Sequence, residues 1–153
     1  MNEEFTPNLT YTELRNALAD ESELTAELVS RRVCEIRRSK LPDVERLGNA
    51  GSFFKNPVVD DDRLTALLDA NPSMPHRPGP NGGAKIAAGW LIDQCGLRGK
   101  VIGGAVVYER HALVITNSGD ATPGDVLRLS REITEAVKAR FGLRLEVEPT
   151  LIG

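Results

Sequence analysis

Two cysteines and two histidines are all that the 153 residues offer of the side chains that most often bind metals or cross-link a fold. Cys34 and Cys95 stand far apart, with no C-x-x-C and no Cys/His cluster. That sets aside a zinc site and a disulfide framework and favours reduced, buried thiols in a cytoplasmic protein. His76 and His111 are isolated, so no metal-ligand spacing is present. Aromatic residues make up only 5% of the chain, and no excess of basic residues exists, the net charge being −3 at pH 7. Nucleic acid and anionic membranes are therefore disfavoured as main partners. No apolar run approaches the roughly 20 residues of a membrane-spanning helix. The opening M-N-E-E-F-T-P-N is acidic and polar, unlike a signal peptide. Neither an internal repeat nor a low-complexity segment occurs. What is present, 41% hydrophobic and 27% charged residues, is ordinary for one soluble domain of this length.

The stretch Gly48–Val59, G-N-A-G-S-F-F-K-N-P-V-V, stands out. Its small residues Gly48, Asn49, Ala50 and Gly51 let the backbone turn tightly and approach a ligand. Ser52 follows, then the adjacent aromatics Phe53 and Phe54. In an extended segment Ser52 and Phe54 share one face, and Phe53 and Lys55 the other. A hydroxyl beside an aromatic wall sits in a dry setting, where a proton donor works without competition from water. Pro57 confines the segment to an edge or strand end. The residues alone leave two readings open. One is a reactive hydroxyl; the other is a glycine-rich turn into a buried strand, with Ser52 hydrogen-bonded locally.

Around this stretch the periodicities predict an α+β chain, a single mixed domain of about four helices packed on a small sheet of short strands. Residues 1–10 form a flexible segment, interrupted by Pro7 and Asn8. Tyr11, Leu14 and Leu18 recur at helical spacing. Thr25 caps a second helix whose apolar stripe is Leu28, Val29, Val33 and Ile36. Its C-terminal half carries Arg31, Arg32, Arg37, Arg38 and Lys40. Most of these complement the helix dipole on a solvated face, but Lys40, just before Leu41-Pro42, projects from the helix end. The run Asp60-Asp61-Asp62 opens a third helix; a cation site is the less common explanation for such carboxylates. Residues 71–83 form a long Pro/Gly connection, and 84–95 a buried helix closed by Gly96. A strand V-I-G-G-A-V-V-Y and a second over 112–116 make a hairpin. Thr122-Pro123-Gly124-Asp125 starts the last helix, with Val126, Leu129, Ile133, Val137 and Phe141 as its buried stripe and Gly142 as its end. Leu143, Leu145 and Val147 then alternate with Arg144, Glu146 and Glu148 in a strand stopped by Pro149.

Four segments, G-N-A-G-S-F-F-K-N-P, A-A-G-W-L-I-D-Q-C-G-L-R-G, I-G-G-A-V-V and the terminal L-E-V-E-P-T-L-I-G, carry a resemblance. Together they closely resemble the UDP-N-acetylenolpyruvoylglucosamine reductase family, over about residues 11–153. The resemblance implies a cytoplasmic oxidoreductase of bacterial peptidoglycan precursor synthesis that uses FAD and NADPH. It matches the C-terminal, substrate-binding part of the family, so residues 11–153 are expected to be that domain, without the N-terminal FAD-binding domain. No tightly bound cofactor and no metal are expected, and the isolated chain is expected to be inactive, since no glycine-rich dinucleotide fingerprint occurs.

In the family, reduced flavin passes a hydride to the enolpyruvyl double bond of UDP-N-acetylglucosamine enolpyruvate, and a serine protonates the enolate-like carbon. The resemblance places that serine at Ser52 and the family's catalytic glutamate at Glu148. A third catalytic residue, an arginine, belongs to the other domain. Substrate contacts carry over to Tyr11, on a loop that closes over the nucleotide sugar, and to Lys40 and Asn56, at the diphosphate region. His111 stands where some relatives have a glutamine contact. Arg77 stands at or near a tyrosine that relatives set against the uracil. A module that binds UDP-sugars without redox chemistry is the alternative, and retention of both Ser52 and Glu148 speaks against it. A structural domain with no ligand would leave the pairing of Lys40 with Asn56 around the serine motif without an explanation.

Overall fold

A computed structural model describes residues 5–150, and the chain divides into two compact units, Met1–Asp43 and Val44–Gly153. In the first, helices α1 (Thr12–Ala17) and α2 (Ala26–Lys40) pack together. Thr25 caps α2 as its sequence predicts, its Oγ1 accepting the Leu28 N–H at 3.2 Å. The stripe Leu28, Val29, Val33 and Ile36 is half-buried, while Arg31, Arg37 and Arg38 are exposed. Arg32 instead bridges Glu21 at 2.8 Å and Glu35 at 2.9 Å. Cys34 lies on the exposed side of α2, which corrects the expectation of two buried thiols; both cysteines are free. Residues 5–10 carry no regular element. The earlier part of the expected flexible segment, residues 1–4, lies outside the described residues, as do the final three.

The second unit runs β1 (Asn49–Ser52), β2 (Val58–Val59), α3 (Asp61–Ala70), β3 (His76–Pro78), a short 3-10 turn (Pro80–Gly82), β4 (Ala84–Ile86), α4 (Ala88–Gln94), β5 (Val101–Ile102), β6 (Ala105–Val107), β7 (Val114–Asn117) and α5 (Pro123–Phe141). The strands make two antiparallel sheets, in the orders β1-β7-β6-β5 and β2-β4-β3. The class is α+β, as the periodicities predict, with two small sheets where the sequence suggested one. One contiguous core includes Phe53, Phe54, Ile86, Leu91, Ile92, Val107, Leu129, Ile133 and Val137. Each large side chain contributes about 1.5–3 kcal/mol by leaving water.

Helix α5 follows its sequence signals closely. Thr122 Oγ1 accepts the Asp125 N–H at 3.2 Å, and Asp125 Oδ2 accepts the Thr122 N–H at 3.0 Å, a reciprocal capping box. Leu129, Ile133, Val137 and Phe141 are buried along one face, and Gly142 closes the helix. Asp60 likewise caps α3, its Oδ1 accepting the Arg63 N–H at 2.8 Å. The aspartate run thus serves a helix start.

Four boundaries differ from the sequence reading. The Pro/Gly connection contains β3, which its prolines permit because it is an edge strand. Ala84–Ile86 is a strand, not the first turn of α4; Ala84 and Ile86 are buried around an exposed Lys85, a period of two. The V-I-G-G-A-V-V run is itself a hairpin, bent at Gly103 (φ +55°), where a Cβ would lie 2.4 Å from the Asp125 carboxylate carbon. The β5–β6 turn is therefore pressed against the start of α5. Last, residues 143–147 keep the expected alternation of burial, but they form no named strand, and their bridge, Val147 to Phe54, lies outside both sheets.

Candidate functional site

The serine-bearing strip is built by a change of partner. β1 pairs with β7 at Asn49↔Thr116 and Ser52↔Val114, so one extra residue on β1 makes a bulge. Gly51 supplies it at φ +71°, in open space. Asn49 pins the bulge, its Oδ1 accepting the Gly51 N–H at 2.9 Å and its Nδ2 donating to Leu47 O at 3.0 Å. Beyond Ser52 the backbone leaves β7. Phe53 N–H still donates to Leu113 O at 2.8 Å, but Phe53 O accepts the Glu148 N–H at 2.9 Å, and Lys55 N–H donates to Glu146 O at 2.9 Å. This brings Glu148 opposite Phe53, one residue along from Ser52.

Phe53 and Phe54 are both buried and meet edge to face, ring centroids 5.3 Å apart. Ser52 and Lys55, on either side of the pair, are exposed. Ser52 and Glu148 are exposed. The dry setting expected for Ser52 is thus only half present: the aromatic base is there, but the hydroxyl faces solvent. Nor is that hydroxyl used locally, since Ser52 Oγ makes no hydrogen bond among the described residues.

Asn56, at the far end of the strip, has one visible task. Its Oδ1 accepts the Ala88 N–H at 2.8 Å, capping a helix whose own N-cap, Ala87, has no side chain able to do so. With the oxygen so fixed, the Nδ2 donor is held in a set direction. His111 lies in the turn between β6 and β7, half-buried; its N–H donates to Tyr108 O at 3.2 Å and its O accepts the Val114 N–H at 3.0 Å. Arg77 is exposed in the middle of β3, opposite Lys85 of β4, and no hydrogen bond or ion pair ties it to the serine strip.

In the first unit the fold brings Tyr11 and Lys40 together across 29 positions of sequence. Lys40 Nζ donates to Tyr11 Oη at 2.9 Å and to the Glu13 carboxylate at 2.5 Å, and Tyr11 Oη donates to Glu13 Oε2 at 3.1 Å. The ammonium lies at the hydroxyl end of the ring, 5.5 Å from its centroid, so the contact is a hydrogen bond rather than a face-on cation–π pair. Lys40's bond holds the Glu13 carboxyl below its ordinary range, against the smaller effect of burial. For Lys40, burial acts to lower the pKa, and the bonds to Glu13 and Tyr11 outweigh it and raise it. Glu13 escaped the sequence reading, because an acid in a first turn reads as dipole complementation.

Among the described residues, no three His, Cys, Asp or Glu side chains gather to hold a metal, and no helix is long and apolar enough to cross a membrane. The glycine-rich residues 49–51 lie within strand β1, and among the described residues every strand pair is antiparallel.

Residues 42–152 match the model of the UDP-N-acetylenolpyruvoylglucosamine reductase C-terminal domain. The chain belongs to this reductase family. It is 51% identical over 148 residues to the UDP-N-acetylenolpyruvoylglucosamine reductase of Neisseria meningitidis serogroup C, covering 95% of this chain and 43% of that protein. It is 47% identical over 154 residues to the reductase of Burkholderia cenocepacia, covering 97% of this chain and 44% of the relative. The solved structure of the reductase from Thermus caldophilus is 30% identical, with a TM-score of 0.48, over 82% of this chain and 35% of that one. The chain thus spans under half the length of the curated reductases it matches. The family match includes Ser52, Asn56, His111 and Glu148, while Tyr11, Glu13 and Lys40 precede residue 42.

Proposed function

We propose that this chain is the substrate-binding portion of a cytoplasmic UDP-N-acetylenolpyruvoylglucosamine reductase, an oxidoreductase that forms UDP-N-acetylmuramate for peptidoglycan synthesis. The observation that carries the reading is the Ser52 hydroxyl, unengaged on a pinned bulge, with Glu148 fixed one residue along by the Glu148 N–H to Phe53 O bond. FAD and NADPH would supply the hydride in the whole reductase. They require the FAD-binding domain as a partner, which makes the isolated chain a binder without turnover.

Ser52 Oγ gives its proton to the carbon left electron-rich by hydride addition, and Glu148 assists by stabilising or relaying charge beside it. A neutral hydroxyl is a weak acid, so the transfer needs an aligned, strongly basic carbon and little competing water. Because Ser52 is exposed, that exclusion comes with the bound substrate. Lys40 offers an ammonium and Asn56 an amide donor to the diphosphate, Tyr11 closes over the nucleotide sugar, and His111 adds a polar contact. No role is derived for Arg77.

Calorimetric titration of the chain with UDP-N-acetylglucosamine tests the binding half of this reading. Saturable binding is expected, weakened roughly tenfold or more by Lys40→Ala, the worth of one charge-assisted bond. Failure to bind the nucleotide sugar at millimolar concentration would sink it.

A further inference from the structure

The ammonium proposed to hold a diphosphate already holds an anion. Lys40 Nζ sits between the Glu13 carboxylate at 2.5 Å and the Tyr11 hydroxyl at 2.9 Å, and Tyr11 closes the triangle onto Glu13 at 3.1 Å. An ammonium has three donors, and two are committed here. The carboxylate offers it the same chemistry that a phosphate oxygen would offer. Both ends of the pair are within reach of a solute, the side chains being 35% and 48% exposed.

We infer that Glu13 is an internal stand-in for the ligand's phosphate: the diphosphate of the nucleotide sugar takes Lys40 from Glu13, and breaking the Glu13–Lys40 pair lowers the ligand's affinity by a small factor. The inference rests on the reading of Lys40 as a diphosphate contact. Glu13 acts through Lys40 and is a positioning residue. The exchange follows from charge. A diphosphate on Lys40 with Glu13 still in place would set like charges side by side, so the carboxylate must turn away or take up a proton.

The local structure permits that movement. α1 has only six residues, and Tyr11 at its N-cap position makes no side-chain capping bond. Exposed ion pairs of this kind are weak, so giving one up costs the ligand little. The same contact accounts for the meeting of Tyr11 with Lys40: two side chains proposed to meet the ligand are held together by one carboxylate. The depressed Glu13 carboxyl records how fully it is engaged.

Two measurements on the chain test the exchange. The first is calorimetry with UDP-N-acetylglucosamine on the unmodified chain, Glu13→Gln, Lys40→Ala and the double variant. Glu13→Gln should bind about two- to fivefold tighter, the worth of an exposed ion pair, and the gain should vanish once Lys40 is alanine. The second needs no variant: a carbon-13 NMR titration of the Glu13 carboxyl, free and ligand-saturated. Its pKa should rise toward the ordinary carboxylate range when the ligand binds. Equal or weaker binding by a folded Glu13→Gln chain, or a Glu13 titration that the ligand leaves unmoved, overturns the exchange and makes Glu13 a support of α1. Absence of binding by all four chains overturns the diphosphate reading of Lys40 and the exchange with it.

Discussion

The side-chain oxygen of Asn56 lies 2.8 Å from the backbone nitrogen of Ala88 and accepts its hydrogen bond. A residue expected to serve the ligand thus also starts a helix. The two tasks use different ends of one amide and can be separated. Asn56→Ala should lose about 1 kcal/mol of stability, the usual worth of a helix cap. Asn56→Asp keeps an oxygen for Ala88 but replaces the donor by a carboxylate. It should melt near the parent temperature yet lose affinity for UDP-N-acetylglucosamine. Thermal melts and calorimetry on both variants check this, and equal affinity in Asn56→Asp would remove Asn56 from the ligand.

The two bends differ in what constrains them. Gly51 turns at φ +71° in open space, so Gly51→Ala meets conformational strain alone, about 1–2 kcal/mol. Gly103 adds a steric conflict, since its Cβ would lie 2.4 Å from Asp125. Chemical denaturation should rank Gly103→Ala as clearly the more damaging. The reverse order would contradict the packing of the β5–β6 turn on α5.

Asp125 links that packing to acid stability. The Thr122 hydroxyl, then the Thr122 N–H and Arg128, hold its carboxyl at about 2, below its ordinary value of 3.8. A depressed carboxylate contributes stability that is complete above the unfolded value and is lost as pH falls through the folded one. The melting-temperature gap between the parent and Asp125→Asn should therefore be full above pH 3.8 and shrink toward pH 2. A gap independent of pH would show that the carboxylate's charge contributes nothing.

Thiol labelling separates the cysteines. Cys34 is exposed, whereas Cys95 is half-buried and burial, only partly offset by Arg140, raises its thiol pKa. A neutral maleimide should label Cys34 first by a wide margin. Comparable rates would contradict the placement of α2.

Elements with their own local signals were legible in the sequence. The capping box at Thr122 and Asp125, the cap at Thr25 and the aspartates opening α3 each act within a few residues, and each appears where its chemistry predicts. The elements misread depend on distant partners. Ala84–Ile86 is a strand because β2 and β3 flank it, and three alternating residues before a helix hide that period. Phe53 and Phe54 are both buried because the strip changes partner between Leu113 and Glu146, a relation no local pattern encodes. The site divides the same way. Ser52 and Glu148 were named from motifs, but Glu13 enters only through a contact with Lys40 across 27 positions.

Ser52 is proposed as the proton donor of the reductase reaction. The most direct measurement is turnover of UDP-N-acetylglucosamine enolpyruvate by the full-length protein carrying Ser52→Ala. Since Ser52 is exposed and makes no hydrogen bond among the described residues, the substitution should leave folding and substrate binding intact. A fall in kcat of about 10²–10⁴-fold, the usual worth of a positioned acid, is expected at nearly unchanged KM. A kcat within a few-fold of the parent would contradict it and return Ser52 to the role of a turn residue.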